Sequence, residues 1–142
     1  MKNRNYIVEK LSDYDSLFSN LILLHKRKSI VFLKGELGSG KTTFIKRYLQ
    51  YYYNIENVTS PTFGIVNNYL NSDNNIFHYD LYRINDHNEL NEFGFYENLD
   101  TNALHLIEWP EIIPSNLVIP NIIINFKLIN SRRLLSINFL DE

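Results

Sequence analysis

A glycine-rich stretch between an apolar run and a helical pattern constrains this chain most. Residues 35–42 read Gly-Glu-Leu-Gly-Ser-Gly-Lys-Thr and match the pattern G-x-x-x-x-G-K-S/T. The apolar run 30–33 precedes this stretch, and residues 43–49 have helical spacing. Because glycines let successive N–H groups turn inward around a phosphate chain, the stretch predicts a phosphate-binding loop between a strand and a helix.

The loop positions have expected parts in holding a nucleotide and its metal ion. Lys41 is expected to reach the β- and γ-phosphates, and the Thr42 hydroxyl is expected to ligate Mg²⁺. Further nucleotide contacts are expected from the groups that turn inward in the same loop, which are Glu36, Leu37, Gly38, Ser39 and Gly40. The alternative is a glycine-rich turn that binds nothing.

Composition narrows the class of protein. The 142 residues contain no cysteine, which excludes disulfides, thiolate catalysis and cysteine-ligated zinc. The N-terminus is polar and no apolar run approaches the length of a membrane span, so we expect a cytoplasmic protein without a membrane partner. The length predicts one domain over residues 1–142.

Charge is distributed unevenly, although the net charge is only −2. Residues 73–111 contain nine acids and one base, Arg83. Such a segment argues against a broad nucleic-acid surface there and suits docking to a basic partner. A solvated acidic face is the alternative.

The order of the predicted elements indicates an α/β fold. Strands are predicted at residues 6–9, 29–34, 64–70, 75–81, 103–107, 121–129 and 132–140, and helices are predicted to begin near Asp13 (capped by Ser12), Gly40 and Asp86. With the loop, this order predicts a P-loop NTPase-type three-layer fold. Its central sheet is expected to be mixed and mainly parallel, with an antiparallel C-terminal hairpin.

Two predicted strands end in an acidic residue, Asp80 and Glu108. Because ligands bind at the carboxyl ends of strands in open α/β sheets, either residue can supply the carboxylate that holds Mg²⁺ or its water. A polar strand end is the alternative for each. Thr62 lies in a loop after the phosphate-loop helix and is a weaker candidate for contact with the γ-phosphate or Mg²⁺. His78 and His105 lie on apolar strands and are interpreted as core or edge residues.

Four segments in this order and spacing resemble the bacterial TsaE (YjeE) ATPases. They are Gly-Glu-Leu-Gly-Ser-Gly-Lys-Thr-Thr (35–43), Ser-Pro-Thr-Phe (60–63), His-Tyr-Asp-Leu-Tyr-Arg (78–83) and Ile-Glu-Trp-Pro-Glu (107–111). The resemblance implies an ATP- and Mg²⁺-dependent hydrolase needed for threonylcarbamoyladenosine formation beside the anticodon of tRNA. It also implies binding to the TsaD and TsaB subunits of the transferase complex, with tRNA met only indirectly through that complex.

The resemblance also implies roles for individual residues. Asp80 and Glu108 match two acids important for the ATPase, and Glu108 matches the position on the Mg²⁺ side. Thr62 matches a switch-like threonine, and Thr43 matches a threonine expected near the α-phosphate. Arg132, on the closing strand, is expected to take part in nucleotide binding. Which of the two acids ligates Mg²⁺ directly, and which residues read adenine, stay open.

Other functions fit these residues less well. A small-molecule kinase shares the loop but usually carries an arginine-rich lid, whereas the second half of the chain has only three arginines. A GTPase is disfavoured because residues 80–83 lack the glycine of D-x-x-G and because no N-K-x-D sequence follows. A scaffold protein that binds no nucleotide would have no use for the phosphate-binding loop. A nucleotide-dependent switch acting on another partner stays an alternative.

Overall fold

The computed structural model describes residues 2–23, 27–61 and 65–140, which form a seven-stranded sheet with helices on both faces. The strands are β1 (Lys2–Val8), β2 (Ser29–Lys34), β3 (Val66–Asn71), β4 (Asn74–Asp80), β5 (Leu104–Glu108), β6 (Ile122–Ile129) and β7 (Arg132–Phe139). The helices are α1 (Asp13–Phe18), α2 (Lys41–Tyr53), α3 (Glu89–Glu92) and α4 (Phe95–Leu99), with a 3-10 helix at Pro110–Ile112. Within these ranges no helix has the length and apolar character needed to cross a membrane.

The sheet is parallel at its centre and antiparallel towards its edges. The strand order is β1-β7-β6-β2-β5-β4-β3. Strand β2 pairs in parallel with β5 and β6, and β4 pairs in parallel with β5. The other three pairs, β1–β7, β6–β7 and β3–β4, are antiparallel. The carboxyl ends of β2, β4 and β5 therefore meet at one edge, and the predicted P-loop type of α/β fold is confirmed.

Alternating side chains of the central strands divide the core into two layers. Val31 and Leu33 of β2 pack with Phe44 of α2, on what we call the α2 face of the sheet. Ile30 and Phe32 point the other way and pack with Phe95 of α4, on the α4 face. Strand β5 is buried along its whole length and β2 as far as Leu33, as parallel strands require when both faces are covered.

Most predicted elements are found. Strand β2 has the predicted bounds, and α2 ends at Tyr53 as expected. The C-terminal hairpin turns at Asn130 and Ser131, whose φ angles of 47° and 68° are the positive values that a tight hairpin turn needs. The predicted start of the third strand, at residue 64, lies outside the described residues.

Two helical segments differ from the prediction. The Ser12 side chain makes no capping bond, so the predicted cap was wrong. Instead, the Asp13 carboxylate accepts hydrogen bonds from the backbone N–H groups of Glu9 (2.9 Å) and Lys10 (3.1 Å), which lower the pKa of Asp13. The predicted acidic helix is followed by a second one, α4, which the sequence did not reveal because Gly94 (φ 69°) separates the two.

Candidate phosphate-binding site

The segment that joins β2 to α2 has the backbone geometry of an anion-binding loop. Gly38 and Gly40 have φ angles of 78° and 106°, which residues with a Cβ atom rarely adopt. A Cβ on Gly40 would also lie 2.7 Å from Nε of Arg133. Helix α2 begins directly at Lys41, so the free N–H groups of its first turn lie at the end of the loop.

Lys41 is folded back onto its own loop. Its ammonium group donates hydrogen bonds to the carbonyl oxygens of Gly35 (2.5 Å) and Glu36 (3.0 Å). The same Nζ atom lies 4.2 Å from the centroid of the Trp109 ring, a cation–π contact. Burial lowers the pKa of Lys41, and nearby carboxylates, led by that of Glu108, oppose this shift. The ammonium is thus held by contacts that an incoming phosphate can replace.

Trp109, whose ring contacts Lys41, has an unusual backbone conformation. Its φ angle is 58°, which is uncommon for a bulky aromatic residue and marks a constrained position directly after β5. The ring also lies beside that of Tyr82, with 4.9 Å between centroids. The two rings therefore form an aromatic wall next to the loop lysine.

The two strand-end acids lie side by side. Because β4 and β5 are parallel, their register places Asp80 opposite Glu108. Glu108 is only 2% exposed, and its Oε1 and Oε2 atoms lie 2.8 Å and 3.1 Å from the Thr42 hydroxyl, which donates to the carboxylate. The loop's threonine and an acid from a neighbouring strand are thus in direct contact.

Asp80 is partly buried beside these groups. Burial raises the pKa of its carboxyl, the backbone N–H of Tyr82 (3.1 Å from Oδ1) lowers it, and the Glu108 carboxylate adds to the upward shift. An acid in this position is well placed to interact with a cation or with water bound at the loop.

His78 is a member of this group that sequence reasoning interpreted only as a core or edge residue. It is fully buried, and its Nε2 atom lies 2.7 Å from Oε2 of Glu108. The available signal was the two-residue period of a strand, which puts His78 on the same face as Asp80. That signal becomes decisive only once β4 and β5 are known to be neighbours.

The loop, the aromatic wall and the two strand-end acids surround a cavity of about 280 Å³ at the carboxyl edge of the sheet. Its lining includes eight of the residues predicted from the sequence and four others. The predicted ones are Leu37, Gly38, Gly40, Lys41, Thr42, Thr43, Asp80 and Glu108, and the others are Ser60, Tyr82, Trp109 and Arg133.

The remaining predicted residues lie elsewhere. Glu36 contributes its carbonyl oxygen to Lys41, and Ser39 is buried with a hydroxyl that has no hydrogen-bond partner among the described residues. Arg132 does not line the cavity; its Nε atom lies 3.4 Å from the carboxylate of Glu9, and both side chains are exposed. Thr62 lies outside the described residues.

Arg133, the neighbour of Arg132, is the arginine that reaches the cavity. It lies against Gly40, and its buried Nε atom has no hydrogen-bond partner within the described part of the chain. Successive residues of a strand point to opposite faces, so only one of the two arginines can face the loop. The structure assigns that position to Arg133.

The chain is similar to known proteins of one family. The model of the family described as "Threonylcarbamoyl adenosine biosynthesis protein TsaE" matches residues 8–134. A protein of Rickettsia typhi named tRNA threonylcarbamoyladenosine biosynthesis protein TsaE is 43% identical over 120 residues, covering 81% of this chain and 83% of the relative. A protein of the same name from Haemophilus influenzae is 38% identical over 125 residues, covering 82% and 79%.

A solved structure shows the same fold. The crystal structure of Bacillus subtilis YdiB superposes with a TM-score of 0.73 at 21% identity, covering 97% of this chain and 86% of the other. At that identity the likeness supports the fold, whereas the family assignment depends on the sequence matches. On those matches, this chain belongs to the TsaE family.

Proposed function

We propose that this protein is a Mg²⁺-dependent ATPase that serves threonylcarbamoyladenosine modification of tRNA. The observation that carries the proposal is the contact between Thr42, at the start of α2, and Glu108, at the end of a neighbouring parallel strand. Phosphate loops that hydrolyse nucleotides combine a loop hydroxyl with such an acid. The names of the relatives supply the pathway.

ATP binding would use the loop amides and Lys41. The loop glycines and the first turn of α2 supply donors for the phosphate oxygens. Lys41 would exchange its bonds to the carbonyl oxygens of Gly35 and Glu36 for bonds to the β- and γ-phosphates. Charge-assisted bonds to phosphate are stronger than bonds to neutral carbonyls, which favours this exchange.

The donor set beside Lys41 fits Mg²⁺. The Thr42 hydroxyl and the Glu108 carboxylate are in direct contact. Both supply oxygen atoms, which are the ligands that Mg²⁺ prefers. We propose that Thr42 holds the ion and that Glu108 holds the ion or one of its waters. When bound, Mg²⁺ neutralises charge on the phosphate oxygens. Asp80, whose register partner is Glu108, is proposed to orient the attacking water together with Thr62.

Hydrolysis by the isolated chain is expected to be slow. An arginine finger is worth ~10³–10⁵ in rate in related chemistry. Arg133 lies beside Gly40, at the helix start. We therefore propose that it binds the nucleotide and does not act as an arginine finger, so the described part of the chain lacks an obvious one of its own. We propose that the TsaB–TsaD complex stimulates hydrolysis and that ATP hydrolysis resets this complex in the cytoplasm. On this proposal, the protein contacts tRNA only indirectly, through the complex.

The proposal is tested by removing the loop ammonium. Lys41→Ala is expected to abolish measurable ATP binding in calorimetry and Mg²⁺-ATPase activity, alone and with TsaB and TsaD. Lys46→Ala, which removes an exposed lysine from the same helix, is the matched control and should behave like the wild type. Equal ATP binding by Lys41→Ala and the wild type would refute the proposed site, and equal rates with and without TsaB–TsaD would refute the stimulation.

A further inference from the structure

We propose that His78 is a positioning residue that holds the Glu108 carboxylate in the orientation needed at the phosphate loop. The inference rests on the proposed function and deepens it. His78 is fully buried in the middle of the sheet and does not itself line the cavity, but it contacts Glu108, which does. It acts through Glu108.

Two groups contact the Glu108 carboxylate. His78 Nε2 lies 2.7 Å from Oε2, and the Thr42 hydroxyl lies 2.8 Å from Oε1 and 3.1 Å from Oε2. If Glu108 is a carboxylate, which only accepts hydrogen bonds, then Nε2 is the atom that carries the hydrogen in this contact. The two donors come from different elements, β4 and α2, so together they fix the plane of the carboxylate.

The rest of the His78 ring supports this tautomer. Its Nδ1 atom is buried and has no hydrogen-bond partner among the residues that the structure describes. If Nδ1 carried the hydrogen, the ring would have an unmet donor and Nε2 would present a lone pair to the carboxylate. With the hydrogen on Nε2, only an unmet acceptor is left, and the 2.7 Å contact becomes attractive.

Orientation of Glu108 matters because the terminal torsion of a glutamate is broad. Without His78, the contact with Thr42 would be the one left to the carboxylate within the described residues, and Thr42 is the residue proposed to release it for Mg²⁺. Hydrogen-bond partners of metal-binding carboxylates typically account for 10–100-fold in metal affinity or activity. His78 is thus expected to matter for the Mg²⁺-dependent part of the reaction and not for phosphate binding by the loop.

A second buried histidine provides the matched control. His105, on β5, faces away from the cavity; its Nε2 atom donates to the Thr101 carbonyl (2.9 Å), and its Nδ1 accepts from the Tyr79 hydroxyl (3.2 Å). Both histidines are fully buried, and neither lines the cavity. Only His78 contacts an acid of the proposed site.

The test uses two amide substitutions at each histidine. The amide nitrogen of glutamine lies as far along the side chain as Nε2, and that of asparagine as far as Nδ1. His78→Gln therefore keeps a donor for Glu108, and His78→Asn does not. We expect kcat of His78→Asn to fall by about 10–100-fold, with a similar loss in the Mg²⁺-dependent gain in ATP affinity. His78→Gln should stay within about threefold of the wild type, since it keeps one hydrogen bond.

Three readouts separate positioning from a merely structural role. ATP affinity measured by calorimetry without Mg²⁺ should be unchanged in both His78 variants. The Gln and Asn variants of His105 should lower the urea midpoint but leave kcat within about twofold, because that site is remote from the cavity. Nitrogen-15 NMR of the nucleotide-free protein should show the hydrogen of His78 on Nε2. The His78 signals are assigned as those that disappear in His78→Gln.

Two outcomes would overturn the proposal. One is hydrogen on Nδ1 of His78 in the NMR spectrum, and the other is an equal loss of Mg²⁺ dependence in the Gln and Asn variants. Failure of the proposed function looks different, because the wild type itself would then bind no ATP. The tautomer measurement needs no nucleotide and would still decide whether His78 orients Glu108.

Discussion

The two faces of the β4–β5 pair bury polar groups in opposite ways. On the α4 face, His105 uses both ring nitrogens, one with Thr101 and one with Tyr79. On the α2 face, the single carboxylate of Glu108 serves both Thr42 and His78. The same two strands therefore bury two kinds of polar network. Around His105 both ring nitrogens are bonded, which we call a closed network. Around Glu108 one carboxylate is shared by two partners, and Nδ1 of His78 has no partner among the described residues.

The difference shows that burial alone does not distinguish a structural polar group from a functional one. A closed network stabilises one arrangement and has no remaining capacity for a ligand. Near the loop, the Ser39 hydroxyl and Nδ1 of His78 have no partner in the described part of the chain, and Lys41 is bonded to carbonyl oxygens that it can leave. Beside the loop the α2 face thus keeps polar groups available, whereas His105 on the α4 face has both ring nitrogens bonded.

The largest expected effect comes from two phenylalanines on opposite faces. Phe95 and Phe44 are both fully buried, one in each core layer. Each change to Ala should lower the free energy of unfolding by about 3–5 kcal/mol through the cavity it leaves, as measured by urea denaturation. Only Phe44→Ala, which alters the helix behind the loop, should also weaken ATP binding by the folded protein. Equal losses of affinity would mean that the faces are not energetically separate.

The next effect isolates the shared carboxylate. Glu108→Gln keeps the size of the side chain but removes the charge that Thr42 and His78 contact. We expect the Mg²⁺-ATPase rate to fall by about 100-fold or more, because partners of such carboxylates alone account for 10–100-fold. ATP should still bind in calorimetry. Glu111→Gln, an exposed acid three residues later, should keep the wild-type rate, and a loss there as large as at Glu108 would contradict the assignment.

Sequence patterns were sufficient where the signals are local. The bounds of β2 and the end of α2 follow from apolar periodicity and the loop motif, and the hairpin follows from Asn130-Ser131. Asp80 and Glu108 were found because acids at strand ends meet at one edge of a parallel sheet, as their register confirms. These features need only a few neighbouring residues and a general rule of topology.

Sequence patterns were insufficient where a contact depends on register between distant segments. His78 and Glu108 are 30 residues apart, and their contact requires β4 and β5 to be adjacent with a particular alignment. The choice between Arg132 and Arg133 depends on which residue of β7 faces the loop, and a shift of one residue reverses it. Such facts come from the packing of the whole sheet.

The two arginines give the third prediction. Arg133 lies against Gly40, whereas Arg132 contacts exposed Glu9 at 3.4 Å. Arg133→Gln should weaken ATP binding by about tenfold, which corresponds to ~1.4 kcal/mol, through loss of a charged donor. Arg132→Gln should change affinity by less than twofold, because exposed ion pairs contribute about 0–1 kcal/mol to stability and this one lies away from the cavity. The opposite result in calorimetry would favour the sequence-based assignment of Arg132.

The smallest expected effect is a pH dependence that belongs to the α4 face. Burial lowers the pKa of His105 below its usual 6.5, although its bond to the Thr101 carbonyl opposes the shift. The unfolded chain therefore binds this proton more readily than the folded protein does. The contribution of His105 to stability is complete above pH 6.5 and declines as the pH falls from 6.5 towards the pKa of the folded state.

Urea unfolding of the wild type and His105→Gln between pH 7.5 and 5 measures this term. The wild type should lose more free energy of unfolding on acidification than His105→Gln, since only the wild type gains a proton at this position on unfolding. Taking the difference between the two proteins removes the titration of all other groups. If the free energy of unfolding changed with pH equally in the two proteins, the closed network around His105 would tolerate the charged ring. The two faces would then differ in their access to a ligand and not in the cost of burying a charge.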